Sequence, residues 1–378
     1  MNLKPILTVA HDEALAMLQS QIDYPNSSER VTYEFIGPMG TGKTTLAREL
    51  AAANPGHIFT EPIDLPTLQD GDQWMPALDH EARVAHQYPN ARWGLSATNR
   101  LGCNDTTPLI IMVDEIGKGT KAQQTQVTPL LREWRIGSMT APERSVIFGA
   151  TNLTEEGLGD IMQGHLRNGL VQVQIKTPTC PQWVANFAIP KGLNPYVIAA
   201  CKLHPEVFHC FIDYRPGGEF AGKPMNGWIQ DPKEPHRACA TPRSLHLCSK
   251  IMNSMPGASN HVLEAALHGA VGTFAAEIME VKKFSTQLPD FDDVVADPQN
   301  TPLPSQATAQ ILCCFKLINQ TKTRKHADAV THYVKRLPRT VQILFASSCC
   351  NEKAGGVNAL FATVAPFSDL CAEHKDFF

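Results

Sequence analysis

The chain of 378 residues predicts an α/β fold, a parallel sheet of five strands between helices, followed by a largely helical region. Three observations carry this expectation. The apolar strand VTYEFI (31–36) runs directly into Gly-x4-Gly-Lys-Thr and then into the strong helix former KTTLARELAAA (43–53). Further apolar segments, TPLIIMVDEIG (107–117), RSVIFGATN (144–152) and LVQVQI (170–175), are separated by helical stretches, the pattern of a sheet covered on both faces. After KTPTCP the strand signals fade and helical periodicity takes over.

In chain order, HDEALAMLQSQI (11–22) has helical spacing, with Leu15, Leu18 and Ile22 on one face, and DYPNSSER breaks it. The helix after the Gly-rich loop ends at NPG. QTQVTPLLREW reads as a helix with a kink at Pro129, and RIGSM as a hairpin turn. From 181 on, PQWVANFAI, NPYVIAACKLHPEVFHCF, TPRSLHLCSKIMNSM and HVLEAALHGAVGTFAAEIMEV read as helices. The Pro/Gly-rich stretch 214–235 reads as a loop and LPDFDDVVADPQNTPLP (288–304) as a linker, with more helices beyond it. This gives an N-terminal helical segment (1–30), a nucleotide-binding core (31–180), a helical domain (181–287), and a linker with a helical extension (288–378).

With 43% hydrophobic and 19% charged residues the chain reads as globular, and a net charge of −4 gives no indication of nucleic acid. The 11 cysteines include no CxxC pair, and Cys313-Cys314 and Cys349-Cys350 are adjacent, so reduced thiols in a cytoplasm are expected. The N-terminal stretch is too polar for a signal peptide and no apolar run of about 18 residues is evident. The expectation is a soluble cytoplasmic protein with no membrane span.

The loop Gly37, Pro38, Met39, Gly40, Thr41, Gly42, Lys43, Thr44, Thr45 is the candidate nucleotide-binding stretch. Its glycines let the backbone approach an anion, and successive N–H groups with the positive end of the helix dipole point at phosphates. Lys43 is expected to reach the β- and γ-phosphates, and the Thr44 hydroxyl to ligate Mg²⁺. LIIMVDEIG adds the chemistry. Asp114 at the strand end suits the metal, and Glu115 stands where a carboxylate polarises water, which implies hydrolysis. No guanine-reading NKxD is present, and ATP is therefore the expected nucleotide.

Four pieces in this order, GPMGTGKT, IIMVDEIGKGTKAQQTQVTPLLREWRIG, VIFGATN and TPRSL (241–245), resemble a P-loop AAA+ ATPase of the MoxR type, as found in phage and bacteria. The match runs from about 31 to 284, and YVKRLPRTVQILF resembles the family's C-terminal extension more weakly. The resemblance implies a three-layer core of five parallel strands, a helical lid with ATP between core and lid, and a helical C-terminal extension. It makes Asn152 the first sensor and Arg243 the second, the latter through bidentate phosphate contacts. It further implies a homo-oligomer, a hexameric ring acting as a chaperone-like remodeller or activator of a protein client. The implied partner is a von Willebrand factor A domain protein.

The sequence departs from the family where Asn-Arg is expected before the last strand: here it reads Asn168-Gly169. Arg167, Arg135 or Arg144 then serves as the arginine finger that reaches a neighbour's nucleotide, or there is none, at a cost of about 10³-fold or more in rate. The helix–hairpin 121–145 carries Trp134 as a partner-contact candidate. His204 and His209, five apart, are read as core or surface histidines, KTRKH as a solvated face, and DFDDVVAD as linker. Two rivals stay open: a DNA-associated AAA+ loader, and a weakly hydrolysing nucleotide switch.

Overall fold

The structure, a computed structural model, describes residues 7–25, 30–69, 71–93, 107–137, 139–153, 162–351 and 355–377. It divides into two compact units, Met1–Thr177 and Pro178–Phe378.

The first unit is built on strands β1 (Thr8–Val9), β2 (Tyr33–Gly37), β3 (Ile58–Phe59), β4 (Ile63–Asp64), β5 (Trp74–Asp79), β6 (Val84–Pro89), β7 (Leu109–Asp114), β8 (Arg135–Ile136), β9 (Met139–Thr140), β10 (Val146–Asn152) and β11 (Val171–Ile175). Its helices are α1 (His11–Asp23), α2 (Lys43–Ala53), α3 (Lys121–Glu133) and α4 (Gly164–Arg167). Among the described residues the main sheet has seven strands in the order β1-β11-β2-β10-β7-β3, with β4 also on β7, and every pairing is parallel. The expected count of five is thus corrected to seven. Four of the seven, β2, β7, β10 and β11, are the segments read from the sequence; β1, β3 and β4, at the edges, are two residues long, too short to show a period-two pattern.

The apolar runs are continuous because both faces of the sheet are buried. In β7, Leu109, Ile111 and Val113 join one core with α3, while Ile110 and Met112 join another with α1 and α2. In β10, Ile147 joins the first and Val146, Phe148 and Ala150 the second. The helix α3 is capped by Thr120, whose hydroxyl accepts from Gln123 N at 3.3 Å, and it continues through Pro129. It ends at Trp134, which adopts φ 53° and is followed by the β8–β9 hairpin. Trp134 is not a partner-contact residue. It is buried, its indole N–H donates to Thr32 Oγ1 at 2.8 Å, and the Arg30 guanidinium lies over its ring.

A second hairpin, β5–β6, pairs Trp74 with Pro89 through Asp79 with Val84 in a stretch with no clear sequence signal. It presents Met75, Leu78, Val84 and Tyr88 to solvent.

The second unit is helical, from Cys180–Trp183 to Ala365–Glu373, and one hydrophobic core runs through it from Cys180 to Leu370. The stretch 215–241 contains turns only. The expected linker is a packed segment with its own helix, Phe291–Ala296, capped by Asp290. Val294 is fully buried, and Tyr333 and Arg336 donate to the carbonyls of Pro302, Pro298 and Thr301. One helical run, Asn260–Gln287, is long and apolar enough by composition to cross a membrane, which the sequence reading had not identified. Its Leu263, Leu267, Val271, Phe274 and Ile278 are buried in the core of this unit. The ten cysteines among the described residues are free thiols.

Candidate functional site

The Gly-rich loop joins the central strand β2 to α2, and local conformation explains its glycines. Gly40 and Gly42 have φ of 74° and 91°, left-handed values that cost a side chain about 1–2 kcal/mol. Gly37 is glycine for a different reason. A Cβ there would lie 2.7 Å from the carbonyl oxygen of Ile175 on the neighbouring strand, and backbone cannot retreat. Thr41 closes the loop by donating to the Pro38 carbonyl at 2.9 Å.

Lys43 begins α2 and is only 6% exposed. Its ammonium donates to the carbonyls of Gly37 (2.7 Å) and Pro38 (2.8 Å), so a buried positive charge sits within the loop. A buried cation framed by backbone N–H groups and a helix N-terminus suits a polyphosphate. On the adjacent face of α2, Thr44 Oγ1 donates to Asp114 Oδ2 at 2.8 Å. This hydroxyl–carboxylate pair is an oxygen donor set that fits Mg²⁺, which takes few protein ligands and completes its shell with phosphate and water. Among the described residues no group of three or more His, Cys, Asp or Glu could hold a metal.

Asp114 also accepts from the Glu115 backbone N–H at 2.9 Å, which turns the chain at the end of β7. Glu115 adopts φ 55°, ψ 40°, and its carboxylate meets Lys118 Nζ at 2.5 Å. The turn is pinned from β10, where Thr151 Oγ1 accepts from Gly117 N–H at 3.1 Å. Gly149 of the same strand makes room for Ile116, since a Cβ there would lie 2.1 Å from Ile116 Cδ1. Asn152, at the end of β10, is in register with Gly37. The order β2-β10-β7 therefore brings Lys43, Thr44, Asp114, Glu115 and Asn152 to the C-terminal ends of adjacent strands.

Three neighbours were invisible in the sequence. Asp64 stands in register with Asp114 across the β4–β7 pair. Burial, then the charges of Glu115 and Asp114, push its carboxyl above the ordinary range, while Lys118 draws it back. Lys118 pairs with the expected base. His11 of α1 lies against Gly42 and bonds Glu49 of α2. Their signal is the parallel register and the α1–α2 packing, neither of which a motif encodes.

The remaining candidates come from other segments of the chain. Arg167, in α4, donates through Nε to Gln172 Oε1 at 3.2 Å, and the Gln172 amide donates to the buried Glu34 at 2.7 Å. Burial pushes the Glu34 carboxyl above its ordinary range, opposed by the Gln172 bond and the charge of Arg167. Gly169 lies against the exposed side chain of Arg132. A Cβ there would lie 2.7–2.8 Å from the side chain of Arg132, an arginine that sequence reading had not weighed. Arg135 is held by Glu133 and the Gly137 carbonyl. The Arg144 carbonyl accepts from His57. Arg243 belongs to the second unit, exposed in the first turn of Pro242–Ser254 behind the Thr241 cap. His204, paired with Glu277 at 3.1 Å and edge-on to Trp228, is structural.

Residues 33–178 match the model of the family described as ATPase family associated with various cellular activities (AAA). With the observed strand order this makes the fold a P-loop AAA+ core followed by a helical C-terminal region, as expected. No curated protein matches the chain. Among solved structures, the Thermotoga maritima RuvB Holliday junction branch migration motor aligns at 18% identity over 77% of this chain and 75% of that one, with a TM-score of 0.35. A point mutant of Thermotoga maritima RuvB aligns at 18% identity over the same shares, with a TM-score of 0.36.

Proposed function

We propose that this chain is an Mg²⁺-dependent ATP hydrolase of the MoxR type, working as a homo-oligomeric ring, a hexamer, in the cytoplasm. Its role is that of a chaperone-like remodeller or activator of a client protein, with a von Willebrand factor A domain protein as partner. The observation that carries the hydrolase reading is the convergence of the Lys43 ammonium, the Thr44–Asp114 pair and Glu115 at the ends of β2 and β7, the two strands that flank β10. The MoxR assignment, the ring and the partner rest on the sequence resemblance.

Lys43 and the loop N–H groups hold the phosphates and neutralise their charge. Thr44 and Asp114 would hold Mg²⁺, which would supply charge neutralisation to the phosphates. Glu115 accepts a proton from the attacking water, and this requires its carboxylate to part from Lys118. Asn152 orients that water, and Arg167 is the first candidate for the finger acting on a neighbour.

The test combines particle mass in Mg-ATP for wild type and Glu115→Gln with ATPase rate against protein concentration. Stable rings of the variant and a specific activity that rises with concentration support the reading. Monomers with flat or absent turnover would leave a nucleotide switch. Turnover stimulated by DNA, with salt-sensitive binding, would favour a DNA-associated loader.

A further inference from the structure

We propose that His11 is a nucleotide-contacting residue that reads the nucleoside half of ATP, selecting a nucleotide over a bare polyphosphate. The inference rests on the ATP reading above and extends it to a helix outside the phosphate loop.

His11 is the first residue of α1, and α1 is fixed against α2 by Ala14 and Leu18, which share a core with Leu46 and Leu50. This packing lays the imidazole across the end of the loop. A Cβ on Gly42 would lie 3.3 Å from His11 Nδ1, 3.4 Å from its Cε1 and 3.4 Å from Thr45 Oγ1. Gly42 is glycine for its positive φ, and the ring lies within contact distance beside it.

Helix geometry decides which end of the ligand His11 meets. Successive residues of α2 are separated by about 100° around its axis, so Thr45 and Glu49, four apart, share one face. Thr44, which carries the metal-side hydroxyl toward Asp114, points elsewhere. His11 is bound to the Thr45–Glu49 face through Nε2 and Glu49 Oε2 at 2.9 Å. A nucleotide with its γ-phosphate on the Asp114 side runs through the loop and leaves it on the His11 side.

Chemistry then restricts the contact. The Glu49 carboxylate can only accept, so Nε2 carries the hydrogen and, in the neutral ring, Nδ1 keeps a lone pair. A lone pair accepts from a ribose hydroxyl or an exocyclic amine and repels a phosphate oxygen. The ring is 27% exposed.

The experiment is isothermal titration of the full chain with Mg-ATP and, separately, with Mg-tripolyphosphate. His11→Ala is expected to weaken ATP binding about tenfold, the worth of one hydrogen bond, and to leave tripolyphosphate binding unchanged. Glu49→Ala, an exposed change that leaves α2 intact, is expected to weaken ATP binding severalfold with the same selectivity. An equal loss for both ligands, or undiminished ATP affinity in His11→Ala, overturns the proposal. Lys43→Ala separates the two levels, because it should lose both ligands. A wild-type protein that binds neither refutes the ATP reading itself, and this inference with it.

Discussion

Gly149→Ala tests whether the turn carrying Glu115 depends on a glycine in the adjacent strand. The added methyl carbon would lie 2.1 Å from Ile116 Cδ1. Carbon atoms pack at about 3.5–4.0 Å, so Ile116 must retreat by about 1.5 Å. It has little space to do so, being fully buried between β7, β10 and α3, and it follows Glu115 directly. Overpacking of this size costs about 1–3 kcal/mol. For a unit the size of Met1–Thr177 a loss of about 2 kcal/mol lowers the melting temperature by about 4–8 °C. Thermal unfolding followed by circular dichroism, with ATP affinity and turnover measured on the same protein, reads both effects. We expect a lower midpoint and lower turnover with ATP affinity retained. Ile116→Val removes the Cδ1 carbon in the way and alone costs about 0.5–1.5 kcal/mol. Combined with Gly149→Ala it should cost less than the sum, by about 1 kcal/mol. A Gly149→Ala protein that melts with wild type, or a strictly additive double variant, would refute the argument.

Three further outcomes are expected. Glu34 is 1% exposed and its folded-state pKa lies above the ordinary 4.5, so the native state takes up the proton first. Its contribution to stability is greatest at low pH and is lost as pH rises from the ordinary value through the folded one. Glu34→Gln should therefore gain melting temperature over wild type at pH 8 and lose that gain near pH 4. A pH-independent difference would show that burial of the charge is not the cause. Trp134→Phe leaves the buried Thr32 hydroxyl without its indole donor, a cost of about 1–3 kcal/mol in urea unfolding. Adding Thr32→Val should recover most of it, and no recovery would contradict the bond's role. Thr44→Val removes the hydroxyl that meets Asp114, and the Mg²⁺ concentration for half-maximal turnover should rise about tenfold or more. An unchanged Mg²⁺ dependence would take Thr44 out of the metal site.

Elements whose physics is local were legible in the sequence. The loop 37–45 is continuous, so its glycines, lysine and flanking strand and helix are legible as one unit. The apolar runs of β7 and β10, bounded by turn residues, suited strands buried on both faces, as in a covered parallel sheet. The helical second unit was legible from its periodicity. Tertiary structure decided what depends on distance in sequence. Strand order and register brought Asp64 beside Asp114, from 50 positions away, and set Gly149 against Ile116. Helix packing set His11 against Gly42, and Arg132 of α3 against Gly169. It buried Trp134 and packed the apparent linker against Tyr333 and Arg336. Two-residue edge strands and the β5–β6 hairpin escaped for the same reason. Their pairing energy comes from neighbours contributed by other parts of the chain, and a short segment carries no periodic record of them.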